Sequence, residues 1–297
     1  DLRDNPGGFL QIAEQIADEF LEAGKLILFT KNKSDQVIES YTTQKGRFEN
    51  AEVYVLINEN SASASEIIAG ALQDNDKGTI IGRRSFGKGL VQQEMGLGDG
   101  SAIRLTTARY YTPTGRSIQR SYVGGSEAYY NSYYKRLENR NTDQTEPEHI
   151  QDSLEFITPK GKIVYGGGGI IPDIYSPYDP VFNSTLFEFL KGTGVLDFFI
   201  FEQLDKHRGR YSAVPESQFL KEFEITDSIY QQFINYLRGS TDIEVTKAVS
   251  FEAPLKVLLK SAFTKQLFGD TAAAKVLLEI DPILNKVIEL DSLKILD

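Results

Sequence analysis

The chain has 297 residues, 40% of them apolar and 25% charged, with a formal net charge of −10 at neutral pH. That acidic balance argues against a nucleic-acid polyanion as partner, which calls for a basic surface. Cysteine is absent and histidine occurs only at His149 and His207, so disulfides, thiolate metal sites, a cysteine nucleophile and histidine-rich metal sites are all excluded. No apolar run approaches the ~18 residues that cross a bilayer.

In chain order, residues 1–8 (DLRDNPGG) read as a strand end running into the turn Asp4-Asn5-Pro6-Gly7-Gly8. A fold rarely opens there, and the expectation is a fragment or processed form with part of the core upstream. Phe9, Ile12, Ile16, Phe20 and Leu21 recur near a 3.6-residue period, which predicts an amphipathic helix over 9–23 ended by Gly24. Apolar strands are predicted at 25–30, 52–58, 78–82, 90–95 and 101–111, with a weaker one around 37–42 and a helix running through Gln73. This alternation predicts an α/β class. Residues 122–157 break the pattern with many polar residues and five tyrosines, at 122, 129, 130, 133 and 134. They read as a solvated insertion or as a flap that touches substrate. The α/β texture returns at 163–174. Beyond about 183, the segments 184–191, 195–207, 215–223, 226–238, 244–267 and 271–290 read as helices. In the last, Ala274, Val276, Leu277, Ile280, Ile283, Leu284 and Ile288 would form the apolar face. The predicted organisation is an α/β domain over 1–182 and a helical domain over 183–297.

Three segments have residues suited to chemistry. Ser63 sits where a strand gives way to a helix, among the small residues Ser61 to Ser65. Free backbone N–H groups and the helix dipole at that point favour a developing oxyanion. The plainer reading is that one of these serines caps the helix, with Glu66 as the capping-box partner of Ser63. Lys88 stands between Gly87 and Gly89 after an apolar strand. An amine set against apolar strands loses hydration and yields its proton more readily, and the neutral amine can take the proton from a serine hydroxyl. Gln92, four residues on, would share its face in an extended strand and orient the amine. A surface lysine is the ordinary alternative, and the phosphate-loop spacing is absent. Gly7 and Gly8 would present N–H groups as an anion nest, or form a plain turn.

Together these segments resemble the carboxy-terminal processing, or tail-specific, proteases. The resemblance is carried by DLRDNPGG at 1–8, VYVLINENSASASEIIAGALQD at 53–74, GTIIGRRSFGKGLVQ at 78–92, DGSAIRLTTARYYTPTGRSIQ at 99–119 and GGGGIIPD at 166–173. It implies a Ser-Lys peptidase with a ClpP/crotonase-like core of repeated strand-strand-helix units, followed here by a mostly helical domain. The resemblance implies that a PDZ domain, usual upstream in the family, and the opening strands of the core would precede residue 1. Position by position, the resemblance places the nucleophile on Ser63, the general base on Lys88 and the orienting residue on Gln92. The oxyanion hole falls on the N–H of Ala64 with Gly7 or Gly8, and Glu66 and Asp74 are supporting. It implies no metal or organic cofactor and no nucleic acid. Its substrates would be proteins or peptides with apolar C-terminal tails, its setting the periplasm or cell envelope. Some members dimerise through a region like the one after 183, so a homo-oligomer is an expectation. Two other functions use similar scaffolds. One is a non-catalytic protein that holds apolar ligands or peptides, marked by ligand co-purification without Ser63-dependent cleavage. The other is a crotonase-type acyl-CoA enzyme, marked by CoA-ester turnover. Both histidines read as solvated surface residues.

Overall fold

The structure, a computed structural model, describes residues 1–43, 46–138, 154–179, 184–211, 214–240 and 251–294. His149, residues 139–153 of the predicted insertion, the 182/183 boundary and the first part, 244–250, of one predicted helix lie outside the described residues. The chain divides into two compact units, Asp1–Pro177 and Tyr178–Asp297.

The first unit is mixed α/β. Strand β3 (Val53–Ile57) is Val-Tyr-Val-Leu-Ile, mostly β-branched and aromatic residues that suit a pleated surface. It pairs in parallel with β4 (Gly78–Gly82), and helix α2 (Ala64–Asp74) makes the crossover that a parallel pair requires. Two-residue β9 (Ile174–Tyr175) flanks β4 on the other side, giving the order β3-β4-β9. An antiparallel sheet of order β2-β1-β6-β5 is built from β1 (Leu26–Asn32), β2 (Val37–Tyr41), β5 (Leu90–Gly96) and β6 (Ala102–Tyr111). A small hairpin joins β7 (Glu155–Ile157) to β8 (Ile163–Tyr165). Every residue of α2 is buried. A helix covered on all faces belongs to the core, and its amino end therefore opens inside the unit rather than on its surface.

Helix α1 (Leu10–Asp18) is shorter than predicted. The chain leaves it at Glu19, and Leu21 still turns inward from the following turn, while Phe20 stacks on Phe48 at 5.5 Å. Its buried face is also not the predicted one. Ala13 and Ala17 are covered where α1 packs on α2, whereas Phe9, Ile12 and Ile16 are 82%, 51% and 40% exposed. Small side chains let two helices approach closely, and that proximity decides which face turns inward. The insertion differs too, because its described part contains helix α3 (Gly125–Glu138).

The described residues of the second unit are helical: α4 (Thr185–Gly192), α5 (Val195–Tyr211), α6 (Glu216–Glu222), α7 (Asp227–Ser240), α8 (Glu252–Phe268), α9 (Asp270–Leu278) and α10 (Pro282–Lys294). Its core is rich in phenylalanine, with Phe187, Phe199, Phe219, Phe233 and Phe263 all buried. The predicted helix over 271–290 is two helices. Asp281 accepts the N–H groups of Ile283 and Leu284 at 3.0 and 3.1 Å and so caps α10, with Pro282 in the first turn. The covered face is Ala272, Ala273, Val276 and Ile283; Ala274 is exposed and Leu277 is 39% exposed. Among the described residues no helix is long and apolar enough to cross a membrane.

Candidate active site

Ser63 occupies the turn between β3 and α2, with φ 57° and ψ −115°. A non-glycine residue with positive φ outside the left-handed helical basin is strained, and persists only where its surroundings over-determine it. The N-terminal turn supplies much of that constraint. Ala62 N–H donates to the Asn5 carbonyl at 3.0 Å, and the Ser65 hydroxyl donates to the same oxygen at 3.0 Å. Asn58 and Asp4 exchange two bonds of 2.9 Å, and the Ser61 hydroxyl donates to the Leu2 carbonyl at 2.6 Å. Gly7 is pressed directly against the serine. A Cβ placed there would lie 2.5 Å from the Ala62 carbonyl oxygen, 2.6 Å from Ala64 N and 3.1 Å from Ser63 Cβ, and φ is +88°. No side chain fits. Gly8 has open space around it.

The second half of the site is the stretch before β5. Gly87 has φ +91°, and a Cβ there would come within 2.6 Å of Arg120 Cγ and 3.0 Å of the Gly168 backbone. Glycine lets the glycine run at 166–169 and the lysine loop pass backbone to backbone. Lys88 follows, half-buried. Its loop is held by Gly89 N–H to the Gln119 side-chain oxygen at 2.9 Å and by Arg120 N–H to the Gly87 carbonyl at 3.1 Å.

Glu66 joins the two halves. Its carboxylate is fully buried and accepts four donors: Ser63 N–H at 2.9 Å, Lys88 N–H at 2.8 Å, Gly87 N–H at 2.7 Å and the Ser85 hydroxyl at 2.5 Å. The capping-box bond from Ser63 is thus one of four. Burial raises the Glu66 carboxyl above its ordinary range, while the four donors pull the other way. Tyr110, 2% exposed, adds a second link. Its hydroxyl reaches the Ser63 carbonyl at 3.1 Å and the Lys88 carbonyl at 2.9 Å, sharing one proton between them. Burial, and then the nearby Glu66 charge, hold this phenol well above its usual range.

The remaining sequence-predicted residues fall elsewhere. Gln92 is exposed on β5 opposite Thr106, and among the described residues no hydrogen bond joins it to Lys88. Asp74 is at the far end of α2, about 15 Å along the helix by its rise per residue. There it pairs with Arg116 at 2.6 Å, both side chains fully buried, and accepts the Thr114 hydroxyl at 2.6 Å. It clamps the turn after β6. His207 is exposed on α5. No cluster of three or more metal-ligating side chains occurs among the described residues.

Helix α3 also reaches the site. Tyr133 packs on Phe86 with ring centroids 5.0 Å apart, and its hydroxyl donates to the Asn60 side-chain oxygen at 2.5 Å. Arg136 donates to the Ser85 and Phe86 carbonyls at 3.1 and 3.2 Å. Tyr110, Ser85, Arg116 and α3 were not legible as site residues, because each acts across at least 19 positions of sequence. The five tyrosines of the insertion were the one available signal. Chemically, the cluster sets a strained serine at the amino end of a buried helix, next to a loop bearing a lysine.

Residues 1–125 match the model of Peptidase family S41, and residues 186–269 match a family of unknown function, DUF8443. A carboxy-terminal-processing protease of Bartonella bacilliformis is 50% identical over 119 residues, covering 40% of this chain and 27% of that protein. A carboxyl-terminal-processing protease of Synechocystis is 42% identical over 120 residues, covering 40% of this chain and 28% of its own length. The solved photosystem II D1 C-terminal processing protease is 35% identical, covers 40% of this chain and 31% of that one, and has a TM-score of 0.38. The chain thus spans less than a third of the length of these relatives. The resemblance to the carboxy-terminal processing proteases, drawn from the motifs, holds for this first segment.

Proposed function

We propose, from the similarity of residues 1–125 to Peptidase family S41, that this chain carries the catalytic core of a serine endopeptidase that cuts proteins near their C-termini. Ser63 is the nucleophile and Lys88 the general base. The observation that carries the reading is the Glu66 carboxylate, which binds the N–H of Ser63 and the N–H of Lys88 at 2.9 and 2.8 Å and so puts both residues in one site. The neutral Lys88 amine takes the proton as Ser63 Oγ attacks the scissile carbonyl, then gives it to the leaving amine, and water releases the acyl group by the same route. The developing oxyanion falls to the Ala64 N–H and to a glycine of the N-terminal turn. Gly7 already donates its N–H to Asn5 Oδ1 at 2.9 Å, which favours Gly8 as the second donor, with Gly7 providing the close approach. Gln92 would orient the amine after substrate entry. The core would be of the ClpP/crotonase type, working in the periplasm or envelope on apolar C-terminal tails, with a PDZ domain and a homo-oligomer in the whole protein. Nothing in the site favours the apolar-ligand or acyl-CoA readings over this one.

The test is cleavage of an unfolded protein with an apolar tail by this chain and by its Ser63→Ala and Lys88→Ala variants. Defined fragments should appear with the parent chain and fall by at least about 10³-fold in either variant, as for loss of any member of a catalytic set. Since only the neutral amine accepts a proton, kcat/KM should climb toward alkaline pH. A rate flat across pH would remove Lys88 as the base, and fragments that persist in Ser63→Ala would remove the serine mechanism.

A further inference from the structure

A cleft of about 310 Å³ lies between α3 and the glycine run, and three arginines line it: Arg84, Arg120 and Arg136. None of the described residues lining it is acidic, in a chain whose net charge is −10. Two of the guanidinium groups are oriented by backbone. Arg84 Nε donates to the Gly168 carbonyl at 2.6 Å, and Arg136 donates to the carbonyls of Ser85 and Phe86. Arg120 is different. It is only 6% exposed, and its guanidinium carbon lies 4.3 Å from the Phe86 ring centroid and 4.1 Å from that of Tyr129. Nη1 donates to the Tyr129 carbonyl at 3.2 Å and to the Ser132 hydroxyl at 3.3 Å, while Nε and Nη2 are buried with no hydrogen-bond partner among the described residues. Two nitrogens with three unmet N–H donors on a buried cation are costly, and aromatic faces offset only part of that cost. Nε and an Nη form the planar fork that matches the two oxygens of a carboxylate or phosphate.

We propose that this cleft binds an oxyanion, a carboxylate or phosphate group, with Arg120 as its principal partner and Arg84 and Arg136 lining the cleft beside it. Val123 and Ala128 give the cleft an apolar wall beside the arginines. The oxyanion is therefore either a free ion or the terminal carboxylate of a peptide whose last side chain rests on that wall. The site stands apart from the peptidase reading, since a chain that binds an oxyanion and cuts nothing would keep the one and lose the other.

The experiment is isothermal titration of the Ser63→Ala chain, which removes turnover, with three probes: inorganic phosphate, a short peptide with a free C-terminal carboxylate, and the same peptide as its C-terminal amide. Saturable binding of phosphate identifies a free-ion site, and binding of the free acid but not the amide identifies a chain-end site. Either should weaken about tenfold or more in both Arg120→Gln and Arg84→Gln, and weaken further with added salt. Arg84 is only half-buried, so its variant decides the matter where Arg120→Gln fails to fold. No saturable binding of phosphate or the free acid up to about 10 mM, well above the Kd of ~1 mM that corresponds to −4.1 kcal/mol, overturns the proposal. So does binding that is unchanged in a folded Arg120→Gln or Arg84→Gln chain.

Discussion

Ser63 keeps a backbone conformation that an isolated peptide would avoid, and the residues that impose it come from three places in the chain. Asn5 and Gly7 press from the N-terminal turn, Glu66 accepts its N–H from the helix, and Tyr110 binds its carbonyl from β6. The local sequence marked Ser63 because small residues surround it, and marked Glu66 because it lies at capping-box spacing. It did not mark Tyr110, since a tyrosine near the end of a strand reads as ordinary core. Yet that hydroxyl touches the carbonyls of both Ser63 and Lys88. Tyr110→Phe removes the oxygen and keeps the ring. It should cost about 1 kcal/mol of stability, the size of one net hydrogen bond. It should also lower kcat with KM little changed, because the two loops would lose a shared anchor while the substrate surface stays intact. Denaturant titration together with the kcat and KM split checks this, and unchanged kcat would show that Tyr110 serves packing only.

At the scale of elements, α2 is the part on which the site depends. Its sequence, ASEIIAGALQD, mixes apolar and small residues on every side, which fits a helix covered all round. One end carries Ser63 and Glu66; the other is anchored by Asp74 and Arg116, whose side chains are fully buried and 2.6 Å apart. Arg116 also donates to Gln73 Oε1 at 2.6 Å and to the Tyr165 carbonyl at 2.8 Å. Asp74→Asn would leave this guanidinium buried without its counter-charge, and breaking one side of such a pair costs about 3–5 kcal/mol. The unfolding midpoint in urea should fall accordingly. A midpoint close to that of the parent chain would mean that Gln73 and the backbone suffice to hold Arg116. The family resemblance implied a supporting Asp74, but its partner, 42 positions away, had no local signal. Element ends were the weakest part of the reading for a similar reason. Tertiary packing ends α1 at Asp18, although its apolar period runs on to Leu21. The break at Asp281-Pro282, in contrast, had a local cause in a capping carboxylate followed by proline.

For the molecule as a whole, two cores use different chemistry. The first unit relies on small and β-branched residues around α2, β3 and β4, with polar groups threaded through them. The second relies on phenylalanine and leucine, with Phe263 fully buried against Tyr211 and Phe223 at centroid separations of 5.8 and 5.2 Å. Phe263→Ala should therefore destabilise the helical unit by about 3–5 kcal/mol, the usual cost of emptying a large aromatic site. Hydrogen exchange at the amides of α7 and α8 should quicken. Exchange that stays at the parent rate would mean that the surrounding rings close over the cavity.

The sequence by itself determined the α/β and helical textures, the positions of the first six strands, the serine at a strand-to-helix junction and the lysine between glycines. These depend on local periodicity, on turn residues and on motifs short enough to read in a row. Only the tertiary structure decided that α1 turns its alanines inward, that part of the tyrosine-rich insertion is a helix lying on the lysine loop, and that Glu66 and Tyr110 tie Ser63 to that loop. It alone gathered Arg84, Arg120 and Arg136 into one cleft. The physical reason is the same in each case. Hydrogen bonds and packing are set by distance in space, and partners 19 to 51 positions apart become neighbours only after the chain has folded.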